Sequence, residues 1–303
     1  MSKKKKVLIT IAIIFALIVT GIAGYAYHLY SSVKETVTVM HEPINRENKQ
    51  RIVEVDVEKK EPLSFLLLGN DARGTERGRT DTIMVITVNP NTKSMKMLSI
   101  PRDTRTEIVG RDFDDKINHA YAFGGAAMTI DTVENFLEIP IDYYITVNME
   151  GFKDIVDALG GVTVNNPFSF RQSGRTFEEG EISLNGTEAL AYARMRSQDP
   201  RGDHGRNDRQ RQIINAIIKE GAQMSSVTRI QEILGAIGNN VRTDLDFDKM
   251  MKVQSNYRDA RHSLEEVTIA GSGSRIGGIW YYIVDEEERE RVSSLLREHL
   301  EIE

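Results

Sequence analysis

A chain of 303 residues with 40% apolar content can bury one large core or two smaller ones. Its formal net charge of −6 argues against a nucleic-acid binder, which is usually basic overall, and leaves room for a local basic pocket. The absence of cysteine excludes disulfides, thiolate zinc sites and a cysteine nucleophile.

Residues 7–27 (VLITIAIIFALIVTGIAGYAY) carry no charge, and about 20 apolar residues suffice to span a bilayer as a helix. The run is longer than the roughly 7–15 residues of a signal-peptide core, and no clear A-x-A-like site follows, so an anchor is expected rather than a cleaved leader. Lysines at positions 3–6 put the N-terminus in the cytoplasm, and Tyr25, Tyr27 and Tyr30 cluster where the outer interface would lie. The expected layout is a cytoplasmic tail (1–6), one transmembrane helix (7–27), an extracellular stalk (28–60) and an extracellular domain (61–303). The protein is thus expected at the cell membrane as a single-pass chain. A DNA-binding domain does not fit in so short a tail.

Three strands open the domain: SFLLLGND (64–71), DTIMVITV (81–88) and SMKMLSI (94–100). The NPNTK turn between the last two predicts an antiparallel hairpin. That hairpin brings Asp81 near PRDTR (101–105). If the first strand pairs beside the second, Asp71, Arg73, Arg79, Asp81, Arg102 and Arg105 gather at one sheet edge.

The acidic run Asp112, Asp114, Asp115 reads as a solvated loop, and His119 as hydrogen-bonded structure rather than a metal ligand. A helix near 126–137 precedes a β-α-β order: a strand at 141–148, a helix ended by glycines (151–161) and a strand at 162–166. The expected fold is α/β, a mixed central sheet between helices in a three-layer α-β-α arrangement, preceded by the transmembrane helix. Residues 167–181 show no clear element. The C-terminal third reads as helices at 227–237 and 247–260, strands at 266–270 and 278–284 (with Trp280) and a final charged helix, without a chemical signal.

Residues 185–212 hold six arginines (Arg194, Arg196, Arg201, Arg206, Arg209, Arg211) and no lysine. From 61 to 218 there are fourteen arginines against four lysines. Guanidinium forks two donors toward two oxygens, so this bias suggests a phosphate or carboxylate partner held in a fixed geometry. Asn185 caps a short helix ending near Arg194. In the following helix (206–224), Gln210, Ile213 and Ile217 fall within about 40° of Arg206 at 100° per residue. Arg206 and Gln210 therefore read as a pocket wall. Arg201 and Arg211 read as solvated, and Arg209 is borderline.

No G-x-S-x-G elbow, Walker loop, H-E-x-x-H or EF-hand loop occurs. What remains is two aspartates at a sheet edge among many arginines, a set suited to diphosphate chemistry with a hard cation. GND-x-R, GRTDTIMV, SIPRDTR, KINHAYAFGG, VNMEGFKDIVDALGGVTV and EALAYARMR-x₉-R-x₂-RQRQ, in that order, resemble the LytR-CpsA-Psr family, most closely its members that attach wall teichoic acid. The resemblance implies a phosphotransferase that moves a glycopolymer from undecaprenyl diphosphate to the muramic acid 6-hydroxyl of peptidoglycan. It also implies an apolar polyprenyl channel whose lining the sequence does not identify. By the same resemblance Asp71 and Asp81 hold the metal, Mg²⁺ or Mn²⁺. Arg79, Arg102, Arg194, Arg196, Arg206 and Gln210 bind the diphosphate, and Arg79, Arg102 and Asp71 are the catalytic set; for in-line attack Asp71 is the candidate base, and a metal-bound role for Asp71 would serve equally well. A lipid diphosphate hydrolase and a non-catalytic, anchored polymer-binding protein are the competing readings.

Overall fold

The structure, a computed structural model, describes residues 3–46, 50–51, 53–71, 78–223, 235, 238 and 240–302. The apolar run folds into α1 (Lys3–Met40). Phe15, Leu17, Ile18 and Ile22 stand exposed around it, and a helix apolar on every side suits lipid. By length and composition, Ile13–Met40 can cross a membrane.

The helix outruns the span read from the sequence, and its end packs on the domain. Val37 and Met40 are buried, and Tyr30 meets Phe247 edge-on with ring centroids 5.2 Å apart. The expected stalk is likewise docked at several points. Glu42 donates its N–H to the Thr243 carbonyl (2.8 Å), Arg46 pairs with Asp131 (2.8 Å) and Glu134 (2.7 Å), and Val55 and Val57 enter the core. The polar composition of this stretch hid those anchors because Arg46 is needed to neutralise a glutamate that is only 2% exposed.

β1 (Leu63–Asn70), β2 (Thr80–Asn89) and β3 (Ser94–Ser99) form the expected antiparallel meander, with Leu66 opposite Val85 and Val85 opposite Leu98. The β2–β3 turn is fixed by Asn89, whose side-chain oxygen accepts from the N–H of Asn91 (2.8 Å) and Thr92 (3.0 Å). Next come a hairpin, β4 (Arg105–Ile108) and β5 (Phe113–Lys116), and α2 (His119–Leu137). The acidic run is thus part of a hairpin: Asp114 pairs with Arg105 (2.8 Å) and Asp115 with His119 (2.6 Å), the hydrogen-bonded role expected of that histidine. β6 (Tyr143–Asn148) lies parallel to β1, and α3 (Met149–Ala158) follows, capped by Asn148.

β7 (Val162–Asn166) does not complete a β-α-β unit in the main sheet. It pairs instead with β10 (Gly180–Leu184), after a small hairpin of β8 (Phe170–Gln172) and β9 (Arg175–Phe177). The stretch read as featureless carried its signal in Ser173-Gly174, whose positive φ values of 51° and 77° suit a two-residue hairpin turn. Phe170 and Phe177 stack at 4.9 Å beneath it. α4 (Gly186–Arg194) and α5 (Asp203–Gln223) close this module over Val156, Tyr192 and Ile213.

β11 (Val241–Thr243), α6 (Phe247–Asn256), β12 (Leu264–Val267), the hairpin β13 (Ser272–Ile276) and β14 (Ile279–Ile283), and α7 (Glu286–His299) complete the chain. The helix expected at 227–237 falls almost wholly outside the described residues. The central sheet runs β11-β6-β1-β2-β3-β12 and is mixed, as expected. Leu66, Leu68, Ile83 and Val85 face α2 and α7 through Val133, Leu137 and Leu296. Leu63, Met84, Ile86 and Met97 face α5 and α6 on the other side.

His299 ties α7 to the β2–β3 hairpin, its Nδ1 2.7 Å from Thr87 Oγ1 and its Nε2 2.9 Å from Ser94 Oγ. Burial, then the Lys96 charge, holds this imidazole below its ordinary 6.5 against the opposite pull of Glu265 and Glu301. The unfolded chain therefore takes the proton first, and the stability that neutral His299 lends is complete above pH 6.5 and is lost as pH falls toward the lowered folded value. Urea midpoints followed from about pH 7.5 to about pH 5 should drop more for the wild-type chain than for His299→Gln. Parallel curves would remove His299 from the pH dependence.

Candidate active site

A β-bulge sets the sheet edge. Gly69 lies opposite Thr82 but Asn70 opposite Thr80, so Asp81 is the extra residue of β2. Such a bulge breaks the in-out alternation, and Asp81 lines the same cavity as its neighbour Thr82. Beyond it Asp71 and Arg79 close the neck of the loop: Asp71 N donates to the Arg79 carbonyl (3.0 Å) and Asp71 Oδ1 accepts from Arg79 N–H (2.6 Å).

Arg102 follows β3 in the turn that starts at Pro101, and its Nη1 donates to Asp81 Oδ1 at 2.5 Å. Burial works against its charge, yet the Asp81 bond and the charges of Asp81, Asp103 and Asp203 hold the guanidinium above its ordinary value. Its Nε is buried and makes no hydrogen bond among the described residues.

The facing wall comes from α4 and α5. Asn185 and Glu188 form a capping box at the start of α4. A Cβ at Gly186 would stand 2.2 Å from the Lys153 carbonyl, so only glycine lets α4 approach α3 this closely. After α4 the chain is clamped to α5 by Arg209, which donates to Asp199 (2.6 Å) and to the Met195 carbonyl (2.6 Å); Arg209 is 1% exposed and Asp199 0%. Three residues earlier on α5, buried Arg206 pairs with Asp203 (2.8 Å), and Arg196 lies 3.4 Å from the other Asp203 oxygen. Burial lowers Arg206, as do the nearby charges of Arg102 and Arg196, while Asp203 and Asp81 pull the other way. Arg102 and Arg206 thus feel each other and share the carboxylates between them.

Behind this cluster lies an apolar cavity of 390 Å³ between the sheet and α3, α4 and α5, walled by Leu67, Ile145, Phe152, Ile214 and Ile217. Asp81, Arg194 and Gln210 also line it, so its polar end is the charge cluster.

The structure thus joins Asp81, Arg102 and Arg206 and links Arg196 through Asp203. It sets Arg194 and Gln210 on the cavity wall. Arg79 is exposed and supplies its backbone to Asp71. Arg105 is drawn off to Asp114, and Arg73 lies outside the described residues.

Two readings of the arginine run change. Arg209, borderline in sequence, is a buried clamp. Arg211 is 6% exposed, bound to Asp208 and to Glu266 (2.8 Å), because β12 covers a second side of α5 that a one-stripe periodicity does not register. Arg201, half exposed, stays a surface residue with Asp199 and Asp208 as partners. Asp203 went unnoticed in sequence; its signal was a carboxylate three residues before Arg206 on one helical face.

Among the described residues no cluster of three or more His, Asp or Glu suits a metal. Asp71 and Asp81 are two carboxylates at one sheet edge, a donor set that fits a cation taking its remaining ligands from phosphate and water rather than from a protein cage.

The LytR_cpsA_psr family profile matches residues 27–298. The chain belongs to this family. It is 58% identical over 302 residues, 98% of this chain and 99% of the relative, to the polyisoprenyl-teichoic acid–peptidoglycan teichoic acid transferase TagU of Halalkalibacterium halodurans. The crystal structure of Bacillus subtilis TagU superposes with a TM-score of 0.65 at 49% identity, covering 80% of this chain and 99% of that one. TagT bound to LI-WTA, at 30% identity, superposes with a TM-score of 0.73 over 86% of this chain and all (100%) of that one.

The arginine run of this chain therefore divides into clamp and cluster. Arg209→Met strands Asp199 in the interior and should cost about 3–5 kcal/mol. Arg194→Ala, at an exposed position, should stay within about 0.5 kcal/mol. Guanidinium denaturation of both variants checks the division, and equal losses would contradict it.

Proposed function

We propose that the protein is a phosphotransferase that moves an anionic wall glycopolymer, wall teichoic acid, from an undecaprenyl diphosphate carrier to the muramic acid 6-hydroxyl of peptidoglycan. The observation that carries this reading is the junction between the apolar cavity and the Arg102–Arg206 cluster: a lipid tail has a dry wall, and the diphosphate at its head meets guanidiniums. At its far end the cavity reaches Met95 and Ile218, which also border a hollow beside Lys219, Arg261 and His262, so a chain longer than the cavity has an outlet. The lysines at the start of α1 favour a cytoplasmic N-terminus and a domain on the outer face of the membrane, where carrier and acceptor would meet.

In the transfer step the acceptor oxygen attacks the phosphorus bearing the glycopolymer. The bond from that phosphorus to the bridging oxygen breaks, and the lipid leaves as its monophosphate. Asp71, at the loop neck, takes the hydroxyl proton. Arg102 and Arg206, supported by Arg79, Arg194, Arg196 and Gln210, meet the charge that grows on the bridging and non-bridging oxygens. Mg²⁺ or Mn²⁺ held by Asp71 and Asp81 would supply further neutralisation of the diphosphate. Hydrolysis would use the same groups with water as the nucleophile.

Full-length protein given a polyprenyl diphosphate-linked glycan and peptidoglycan oligomers should form a phosphodiester conjugate. Arg102→Ala should slow that reaction by at least about 10²-fold, the scale of a lost transition-state donor, while its far-UV dichroism stays native. Phosphate-ended glycan without conjugate would replace transfer by hydrolysis. Near-wild-type turnover by the variant would sink the arginine assignment.

A further inference from the structure

The C-terminal hairpin stands outside the charge cluster, yet it carries the chain's single tryptophan. β13 and β14 pair with Gly273 opposite Tyr282 and Arg275 opposite Trp280. A Cβ at Gly273 would fall 1.9 Å from the Trp280 indole, and one at Gly271 would fall 2.7 Å from the Tyr282 ring. Both rings therefore rest against bare backbone that only glycine provides. Tyr282 is buried, its hydroxyl donating to the Ile269 carbonyl (3.2 Å), whereas Trp280 keeps 45% of its surface exposed.

The two rings wall a pocket of 330 Å³ whose other side carries Arg196, Arg201, Asp203 and Asn207. Asp203 Oδ1 is buried there, with no hydrogen bond among the described residues and only the Arg196 guanidinium, 3.4 Å away, as an ion-pair partner. An exposed indole facing an amide, a carboxylate and guanidiniums suits a sugar: its C–H face lies on the aromatic ring while hydroxyl and acetamido groups meet the polar side.

The placement of this pocket says which sugar. On α5, Asp203 and Asn207 line the pocket and Gln210, Ile214 and Ile217 line the apolar cavity, with Arg206 about one turn from either set. At the sheet edge, Asp103 lines the pocket and Asp81 the cavity, and Arg102 bonds Asp81 with its Nε 3.9 Å from Asp103. Two arginines thus separate an apolar chamber from a polar, aromatic one. In-line displacement sets the attacking oxygen opposite the leaving oxygen. A lipid phosphate leaving toward the apolar chamber requires the attacking hydroxyl to enter from the aromatic one.

We propose that this pocket seats a sugar ring of the acceptor glycan, with Trp280 as its stacking platform. The assignment rests on the transfer reading above and names where its acceptor binds. Because the chain has one tryptophan, the intrinsic indole emission of the full-length protein in detergent reports on this pocket alone. Uncrosslinked peptidoglycan glycan oligomers should shift that emission saturably with no donor present, and a polyprenyl diphosphate disaccharide alone should not. This binding readout needs no turnover, so it decides the pocket even if transfer itself is not observed. In the transfer assay, Trp280→Ala should raise the acceptor KM about tenfold and the donor KM by less than about twofold, and Trp280→Phe should recover most of the loss. Emission that the oligomers leave unmoved, or that the donor alone moves, overturns the assignment. So does a KM effect confined to the donor.

Discussion

A single extra residue in β2 decides which way the central carboxylate points. Strict alternation would put Asp81 on the face of Ile83, inside the core packed against α2. The bulge after Gly69 turns it to the cavity instead, where Arg102 binds it. From that pair the rest of the centre follows: Arg102 feels Asp203, Asp203 holds Arg206 and Arg196, and α5 carries the line on to Gln210 and the apolar wall. A sheet edge and a helix far apart in sequence are joined there through alternating cations and anions, beside the apolar packing of α5 on the sheet.

The two interfaces of α5 explain why so many arginines occupy one short stretch. Arg209 and Arg211 serve the scaffold, one pinning the turn after α4 and the other tying α5 to β12 through Glu266. Arg206 and Arg196 serve the cluster. Lysine would suit neither job as well, since Arg209 reaches a carboxylate and a carbonyl at once with two separate nitrogens. The composition bias is therefore real but mixed in origin, and only burial and partners sort it.

Much of this was legible in the sequence. The NPNTK turn gave the hairpin that carries Asp81 to Arg102, and the 3.6-residue period pointed Gln210 to the cavity wall, because both signals are local; Arg206, read onto the same wall, pairs with Asp203 instead. The bulge was not legible: one unpaired residue leaves no mark on alternation at the end of a strand. Nor was the docking of Glu42, Arg46, Val55 and Val57, which depends on partners such as Glu134 and Thr243 far away in sequence. The β8–β9 hairpin was missed for a different reason, since three-residue strands are too short to show a period and only the Ser173-Gly174 turn marks them.

The same charges that build the site also temper it. Asp81 and Asp203 hold Arg102 and Arg206, so guanidiniums at the edge of an apolar cavity are not left uncompensated. On the proposed reading, a diphosphate arriving there takes the arginines from carboxylates already in contact with them. Its binding is then driven by the difference between two sets of ion pairs, not by the whole of one.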